Sequence, residues 1–432
     1  MEWRLGGAGI AMIGVSYGFA RYGYGLFEPH IRAELGLSVG ASGMVASGAY
    51  LGYVLALTAV GLLADRLGPR RLIIAAGLSA AAGTSVVALA DRPVFLFAGL
   101  VVAGASSGFA WAPYSDAIDQ LITPDRRMWL LAAIPSGTAF GITVAGALAL
   151  SDSRWRSAWL VFSAVAVLVT GYNARLLRGT RPIRRAGRPG VGLLRRPGTP
   201  ALYCTALSYG MVGAVYWTFA LAAVSGAAGP VAGSVFWMVI GVSGTSAVFT
   251  GWVLARLGPR RAHALLLGGL ALAAALIAVG PGWWPAIGLS AVVYGFVFMA
   301  ISGLLAVWSH RTFPDRPSAG FSITVFLLGL GAVLGPALFG ALADRWDLRT
   351  ALLLASAIAL ITLVARPSGL QRDLGGRGEP EPDQCAAGDP VQPATDALGG
   401  EPAARPIDHH DDGAHPHQPD HHVDRRQQQR HR

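Results

Sequence analysis

The chain has 432 residues, of which 53% are hydrophobic and 13% are charged, and this composition excludes an ordinary soluble domain. The chain has 34 arginines, no lysine and 24 acidic residues, which gives a net charge of +10. The arginines gather between apolar runs, which indicates membrane topology and not nucleic-acid binding. The two cysteines, Cys204 and Cys385, offer neither a disulfide framework nor metal-ligand spacing, so we expect no metal site or other cofactor.

Twelve apolar stretches are each long enough to cross a membrane as a helix, which takes about 20 residues. They lack the alternation of barrel strands, so the sequence predicts an all-α membrane protein. We expect the first stretch to be a retained span and not a cleaved signal. The stretches are 7–27, 40–64, 72–90, 94–118, 128–150, 157–176, 201–224, 231–254, 262–279, 286–308, 320–342 and 350–365.

The chain repeats itself after about 190 residues. The loop from Gly61 to Arg71 recurs, nearly unchanged, from Gly251 to Arg261, and Ser16-Tyr17-Gly18 recurs as Ser208-Tyr209-Gly210. Self-similarity on this scale predicts one unit used twice. We therefore predict two pseudo-symmetric six-helix bundles. The four segments are an N-terminal bundle over 1–176, an Arg-rich linker over 177–200, a C-terminal bundle over 201–365 and a tail over 366–432.

Arginine placement predicts the orientation. With both ends in the cytoplasm, inner segments before the tail hold 19 arginines and outer loops hold six. The segment from Arg175 to Pro200, which includes the linker, carries eight of the inner ones and is expected to touch anionic lipids. The tail is rich in Gly, Pro, Asp and His with no apolar periodicity, so we expect it to be disordered and to chelate metals only weakly.

The first of the two repeated loops resembles the signature between the second and third helices of the major facilitator superfamily. The matching positions are Gly61, Leu63, Asp65, Arg66, Gly68 and Arg70. Pro69 departs from the pattern, and the second copy has Ala255 in place of the acid. The segments 21–24 and 50–53 look most like the prokaryotic YbfB/YjiJ-like branch. The resemblance implies a monomeric secondary active transporter of the cell inner membrane, without enzyme activity, that carries a small-molecule substrate and is coupled to protons.

Arg21 is the residue of the first span that most needs an explanation, because a charge within a membrane is costly. Tyr17, Arg21, Tyr24 and Glu28 follow helical spacing and should share one face. One hypothesis makes Arg21 an anchor for a carboxylate in a central cavity. The alternative is an arginine near the outer end that reaches outward and pairs with Glu28. The matching position in the second half is Gly213.

The fourth span carries two acids, Asp116 and Asp119, beside Trp111 and Tyr114. One interpretation is a protonatable group that couples transport to a proton gradient. The other is a salt-bridge network with Arg66 or Arg70 near the inner surface, which would act as a gate. Trp111 and Tyr114 are candidate substrate contacts.

Asp65 has a role implied by the resemblance. In the family this acid faces the start of the eleventh helix, here about 319–321, when the transporter is open outward. An anion gains free energy at a helix N-terminus, so Asp65, with Gly61, Arg66, Gly68 and Arg70, is expected to form a gate. The alternative is an ordinary solvated loop acid.

Further candidate substrate contacts are Tyr209 and Tyr216, which repeat the stripe of Tyr17 and Tyr24, and Tyr294. The favoured function is alternating-access transport of an organic anion. Efflux of amphipathic cations or drugs remains the alternative, because an aromatic cavity would suit it. A third hypothesis is a transporter-like sensor that signals through its linker or tail.

Overall fold

The computed structural model describes residues 2–151, 154–182, 198–314 and 317–367, which belong to one compact unit. This part of the chain is helical, as predicted. In chain order the α-helices are α1 (Glu2–Ile13), α2 (Gly23–Glu34), α3 (Val39–Leu89), α4 (Pro93–Leu121), α5 (Pro124–Ala133), α6 (Ser136–Ser151), α7 (Trp155–Leu176), α8 (Thr199–Ala228), α9 (Pro230–Gly244), α10 (Thr250–Val279), α11 (Trp284–Thr312), α12 (Pro317–Arg345) and α13 (Leu348–Ile361). A π-helix covers Gly14–Phe19, and 3₁₀ turns cover Thr245–Phe249 and Thr362–Val364.

Each of the twelve predicted stretches lies mainly on helical residues. The 51-residue helix α3 would be about 75 Å long if straight, more than twice the thickness of a bilayer. It is divided at Gly68, where φ is 72° and ψ is 169°. Helix α10 is divided in the same way at Gly258, with φ 68° and ψ 162°. The two repeated loops therefore share one backbone conformation, and a proline follows the glycine in each.

The first span is not the continuous helix that the sequence predicts. A π-helix from Gly14 to Phe19 and a turn at 20–22 interrupt it. Here the span packs closely on α6: a Cβ atom at Gly18 would lie 2.6 Å from the Cα of Gly141. Because of the interruption, residues before and after it no longer follow a single helical face.

The two bundles pack tightly against each other at the end of the molecule that carries Ser38, called here the Ser38 end. A Cβ atom at Gly43 would lie 2.1 Å from the carbonyl oxygen of Pro336 on α12. At Gly25 it would lie 1.9 Å from the carbonyl oxygen of Trp217 on α8. Such distances are met only by glycine, so the glycines of this interface allow the backbones to touch.

The opposite end, which carries Gly68 and Gly258, is packed more loosely. Cβ atoms at Gly61 and Gly251 would meet nothing within 4 Å. Asp65 and Arg66 are exposed there. Within the described part of the chain, the close glycine contacts between the bundles run from the Ser38 end as far as Gly329, beside Tyr53 and Val54.

Candidate functional site

Arg21 lies in a cage of four tyrosine rings that all belong to the N-terminal bundle. Its side chain is buried, with the residue only 5% exposed. The Cζ atom lies 3.8 Å from the ring centroid of Tyr53 and between 5.2 and 5.5 Å from those of Tyr50, Tyr22 and Tyr17. Each cation–π contact of this kind contributes about 0.5 to 2 kcal/mol, the higher figure where water is excluded.

Arg21 has no carboxylate partner within the described ranges, and its buried Nε atom has no hydrogen-bond acceptor. A buried charge without a counter-ion costs several kcal/mol even after relaxation. The tyrosine faces offset some of that cost, but the rings are neutral and do not cancel the charge. The site therefore holds positive charge in excess of what its own residues neutralise.

A small cavity adjoins Arg21 at the junction of the two bundles. Its volume of about 10 Å³ is close to that of one water molecule. Trp217 from α8 forms the wall contributed by the second bundle and stacks on Tyr22 at a centroid distance of 4.7 Å. The lining residues are Arg21, Tyr22, Tyr24, Gly25, Ala46, Tyr50, Trp217 and Thr218. A larger ligand would need the bundles to separate.

The predicted stripe of the first span is split by the interruption at 14–22. Tyr17 belongs to the cage, whereas Tyr24 lines the cavity with its ring and directs its hydroxyl to Ser42, 2.8 Å away. Glu28 is fully buried: its Oε1 accepts a hydrogen bond from Ser42 at 2.6 Å and pairs with Arg32 at 3.0 Å. The alternative interpretation, in which Arg21 pairs with Glu28, is wrong because Arg32 takes that place.

The tyrosines of the second bundle lie in the same hydrophobic core as the cage, but their hydroxyls bond within the second bundle. Tyr209 donates to the carbonyl oxygen of Phe298 at 2.6 Å, and Tyr294 donates to that of Gly213 at 2.9 Å. Tyr216 shares a hydrogen bond with Ser290 at 2.6 Å and stacks on Tyr294. These hydroxyls are satisfied by the protein, and none of the three tyrosines lines the cavity. Of the three, Tyr294 packs edge-on against Trp217, at a centroid distance of 5.4 Å.

Trp111 and Tyr114 lie in a different core cluster, away from the cavity. The Tyr114 hydroxyl is hydrogen-bonded to the side-chain oxygen of Asn173 and to the carbonyl oxygen of Ala8. Trp111 packs against the same cluster. The structure thus gives Tyr114 a role in joining α1, α4 and α7, and does not bring it to Arg21.

The predicted gate residues lie around the Gly68 loop. Asp119 forms its ion pair with Arg127, at 3.8 Å, where the sequence favoured Arg66 or Arg70. Arg70 donates through Nε to the carbonyl oxygen of Ala174 at 3.0 Å, which ties the loop to α7. The contact of Asp65 with the start of the eleventh span stays a prediction. So do the gating roles expected for Asp116, Arg66, Gly61 and Gly68.

A polar contact at the Ser38 end was not predicted. Ser38 is the N-cap of α3, and its hydroxyl donates to Oδ2 of Asp344 on α12 at 2.7 Å. A Cβ atom at Gly40 would lie 2.4 Å from the same oxygen. A signal was present in the sequence: residues 61–66 read GLLADR and residues 340–345 read GALADR. Each copy of this hexapeptide ends a helix of the bundle interface.

Several further predictions concern segments outside the described residues. The arginine-rich part of the linker from 183 to 197 is one of them, with its expected contact to anionic lipids. The tail from 368 to 432 is another, with its expected disorder and weak metal chelation. Both stay predictions.

Comparison with known proteins identifies what this arrangement is similar to. Residues 13–366 match the family described as "Uncharacterised MFS-type transporter YbfB". The chain is 28% identical over 354 residues to "Transcription regulatory protein OpdE" of Pseudomonas aeruginosa, which covers 77% of this chain and 85% of that protein. It is 32% identical over 143 residues to "Putative uncharacterized transporter YgaY" of Escherichia coli K12, or 32% of this chain and 36% of that one.

Solved structures share the fold at low sequence identity. The nucleoside transporter NupG superposes with a TM-score of 0.68 at 14% identity, over 84% of this chain and 97% of that one. A bacterial homologue of the lysosomal transporter Spinster, "in Inward-facing And Occupied Conformation", superposes with a TM-score of 0.64 at 15% identity, over 83% of this chain and 94% of that one. The resemblance seen in the repeated loop is thus confirmed for fold and family.

Proposed function

Because the chain belongs to the YbfB family of MFS-type transporters, we propose that it moves a small organic anion across the cell membrane by alternating access. The observation that carries the choice of an anion is the buried, unneutralised charge of Arg21 beside a cavity between the bundles. Membrane embedding, many spans and a transport function follow from the family. The substrate class is the proposed step.

The Arg21 site suits a carboxylate better than a cation. An incoming carboxylate would neutralise the guanidinium and accept from its Nε, which has no acceptor in the described chain. Charge-assisted hydrogen bonds of this kind contribute about 1.5 to 3 kcal/mol each. An amphipathic cation would find aromatic faces in the same place but would be repelled by Arg21, which argues against the drug-efflux alternative.

The packing supports a conformational cycle. The bundles meet at the Ser38 end, where Gly43 and Gly340 allow close contact, and Ser38 bonds Asp344 across the interface. With both termini in the cytoplasm, as the arginine distribution predicts, this is a conformation closed toward the outside. Opening of the Ser38 end would break these contacts, and Asp65 would then act at the opposite end as a latch.

Coupling to protons is part of the proposal. Glu28 is a fully buried carboxylate whose Oε2 atom has no hydrogen-bond partner, and Ser42 connects it to Tyr24 at the cavity. A buried acid of this kind is a candidate proton carrier. Uptake measured with and without an imposed pH gradient tests the coupling, which is absent if the gradient does not change the initial rate.

A binding screen tests the anion site directly. Purified protein is heated with a panel of simple carboxylates, together with their amides as uncharged controls. We expect at least one carboxylate, and not its amide, to raise the unfolding temperature. Arg21→Gln should abolish the shift while unfolding at the same or a higher temperature without ligand, because it removes an unpaired buried charge. Stabilisation that survives in Arg21→Gln rules out the anchor.

A second function is favoured by one observation. OpdE, similar to this chain over most of its length, is named as a transcription regulatory protein. A transporter-like sensor would bind the same anion through Arg21 without moving it. Binding in the screen above, combined with no flux in sealed vesicles, would favour this second function over transport.

A further inference from the structure

Trp217 is the residue through which the second bundle reaches the Arg21 cavity. It is 2% exposed, and its indole Nε1 is buried without a hydrogen-bond acceptor. Rings of Tyr22, Trp237, Tyr294 and Phe298 surround it at centroid distances of 4.7 to 5.4 Å. The indole is therefore held in place and cannot turn to find an acceptor elsewhere.

A buried N–H group without an acceptor costs free energy, and tryptophan usually satisfies its indole N–H when it is buried. Two residues that line the cavity carry such a donor, Trp217 at Nε1 and Arg21 at Nε. They come from different bundles. Two cavity-lining residues that each carry a donor without an acceptor are complementary to a ligand that presents two acceptor atoms, as a carboxylate does.

We propose that Trp217 donates its indole N–H to the same anion that Arg21 binds, so that the ligand bridges the two bundles. This inference rests on the proposed function, because it takes the anion site at Arg21 as given. It makes Trp217 a specificity-determining residue. A carboxylate satisfies both donors at once, whereas a halide of similar charge presents a single atom and satisfies them less well.

The chain provides a matched control. Trp237 lies against Trp217 at 5.0 Å and also has a buried indole nitrogen without an acceptor, but it does not line the cavity. Phenylalanine at either position keeps an aromatic ring in the cluster and removes the N–H group. If the lost donor matters only for packing, the two replacements should behave alike.

The experiment titrates the full-length protein with the panel carboxylate that stabilises it most, and with chloride, in the wild type, Trp217→Phe, Trp237→Phe and Arg21→Gln. We expect Trp217→Phe to weaken carboxylate binding at least tenfold, or about 1.4 kcal/mol, and to weaken chloride binding less. Trp237→Phe should bind like the wild type. Unfolding temperatures without ligand check that each variant is folded.

Each other outcome has a defined meaning. If Trp217→Phe binds the carboxylate like the wild type while Arg21→Gln does not, the bridging role is wrong and the anion site stands. Equal losses in Trp217→Phe and Trp237→Phe would show a packing effect and overturn the inference. If no carboxylate stabilises the wild type, or if Arg21→Gln binds normally, the proposed function fails and the inference fails with it.

Discussion

Replacing Gly43 by alanine should shift the balance between the two ends of the transport cycle. In the present conformation the new Cβ atom would lie 2.1 Å from the carbonyl oxygen of Pro336 and 3.0 Å from the ring of Phe219. In real structures a Cβ atom essentially never lies closer than 3.0 Å to a neighbouring heavy atom of this kind. The helices α3 and α12 must therefore move apart, and this penalty applies only while the Ser38 end is closed.

The size of the shift follows from the overlap. Overpacking by one methyl group costs about 1 to 3 kcal/mol, which corresponds to roughly a 5- to 150-fold change in the equilibrium between conformations. Alanine also has the higher helix propensity, by about 1 kcal/mol, but that gain is equal in both conformations and cancels. Gly268→Ala is the control, because it adds the same methyl group inside helix α10, where a Cβ atom meets nothing within 4 Å.

Cysteine accessibility measures this equilibrium. Thr218 lines the cavity, so Thr218→Cys is introduced where both native cysteines, Cys204 and Cys385, are replaced by serine. A membrane-impermeant maleimide is then applied to one side of sealed vesicles at a time. Gly43→Ala should accelerate labelling from the Ser38 side, and the control should not. Equal labelling rates in the two variants would refute the steric reasoning.

Two further predictions concern polar contacts at the Ser38 end. Asp344→Asn weakens the hydrogen bond from Ser38, at an exposed position, by about 0.5 to 1 kcal/mol. The labelling rate in the same assay should therefore change about two- to fivefold, in the same direction as in Gly43→Ala. An unchanged labelling rate would contradict this prediction. Hydrogen bonds from Arg156 and then Trp155 hold the pKa of the Glu34 carboxyl below its ordinary value. This stabilising contribution is present above the ordinary pKa and is lost as the pH falls toward and below about 4. The difference in unfolding temperature between the wild type and Glu34→Gln should therefore shrink on acidification. A difference that stays constant with pH would exclude this linkage.

The fold was predictable because its signals are local and repeated. Apolar runs of span length, and the Gly-Pro pairs at 68–69 and 258–259, define the helices and their divisions without tertiary information. The recurrence of the same backbone angles at both glycines shows why the loop is a reliable marker. A left-handed φ is open to glycine at little cost, so the residue and the conformation repeat together.

The site was only partly predictable, because tertiary packing decides it. Arg21 could be identified because a charge within a membrane is costly, and Tyr17 because helical spacing places it on the same face as Arg21. The interruption of the first span could not, since it occurs where glycines of that span meet glycines of α6. It brings Tyr22 into the cage, a residue that regular helical spacing places elsewhere. Trp217 joins the cavity only through the packing of one bundle on the other.

Flux through reconstituted protein tests the central claim most directly. Proteoliposomes containing wild-type protein or Arg21→Gln are loaded with the carboxylate that binds best, and uptake of the radiolabelled anion is followed as counterflow. We predict saturable uptake by the wild type and none above empty liposomes by the variant. Equal uptake by both proteins, or binding without any uptake by the wild type, would contradict anion transport through the Arg21 site.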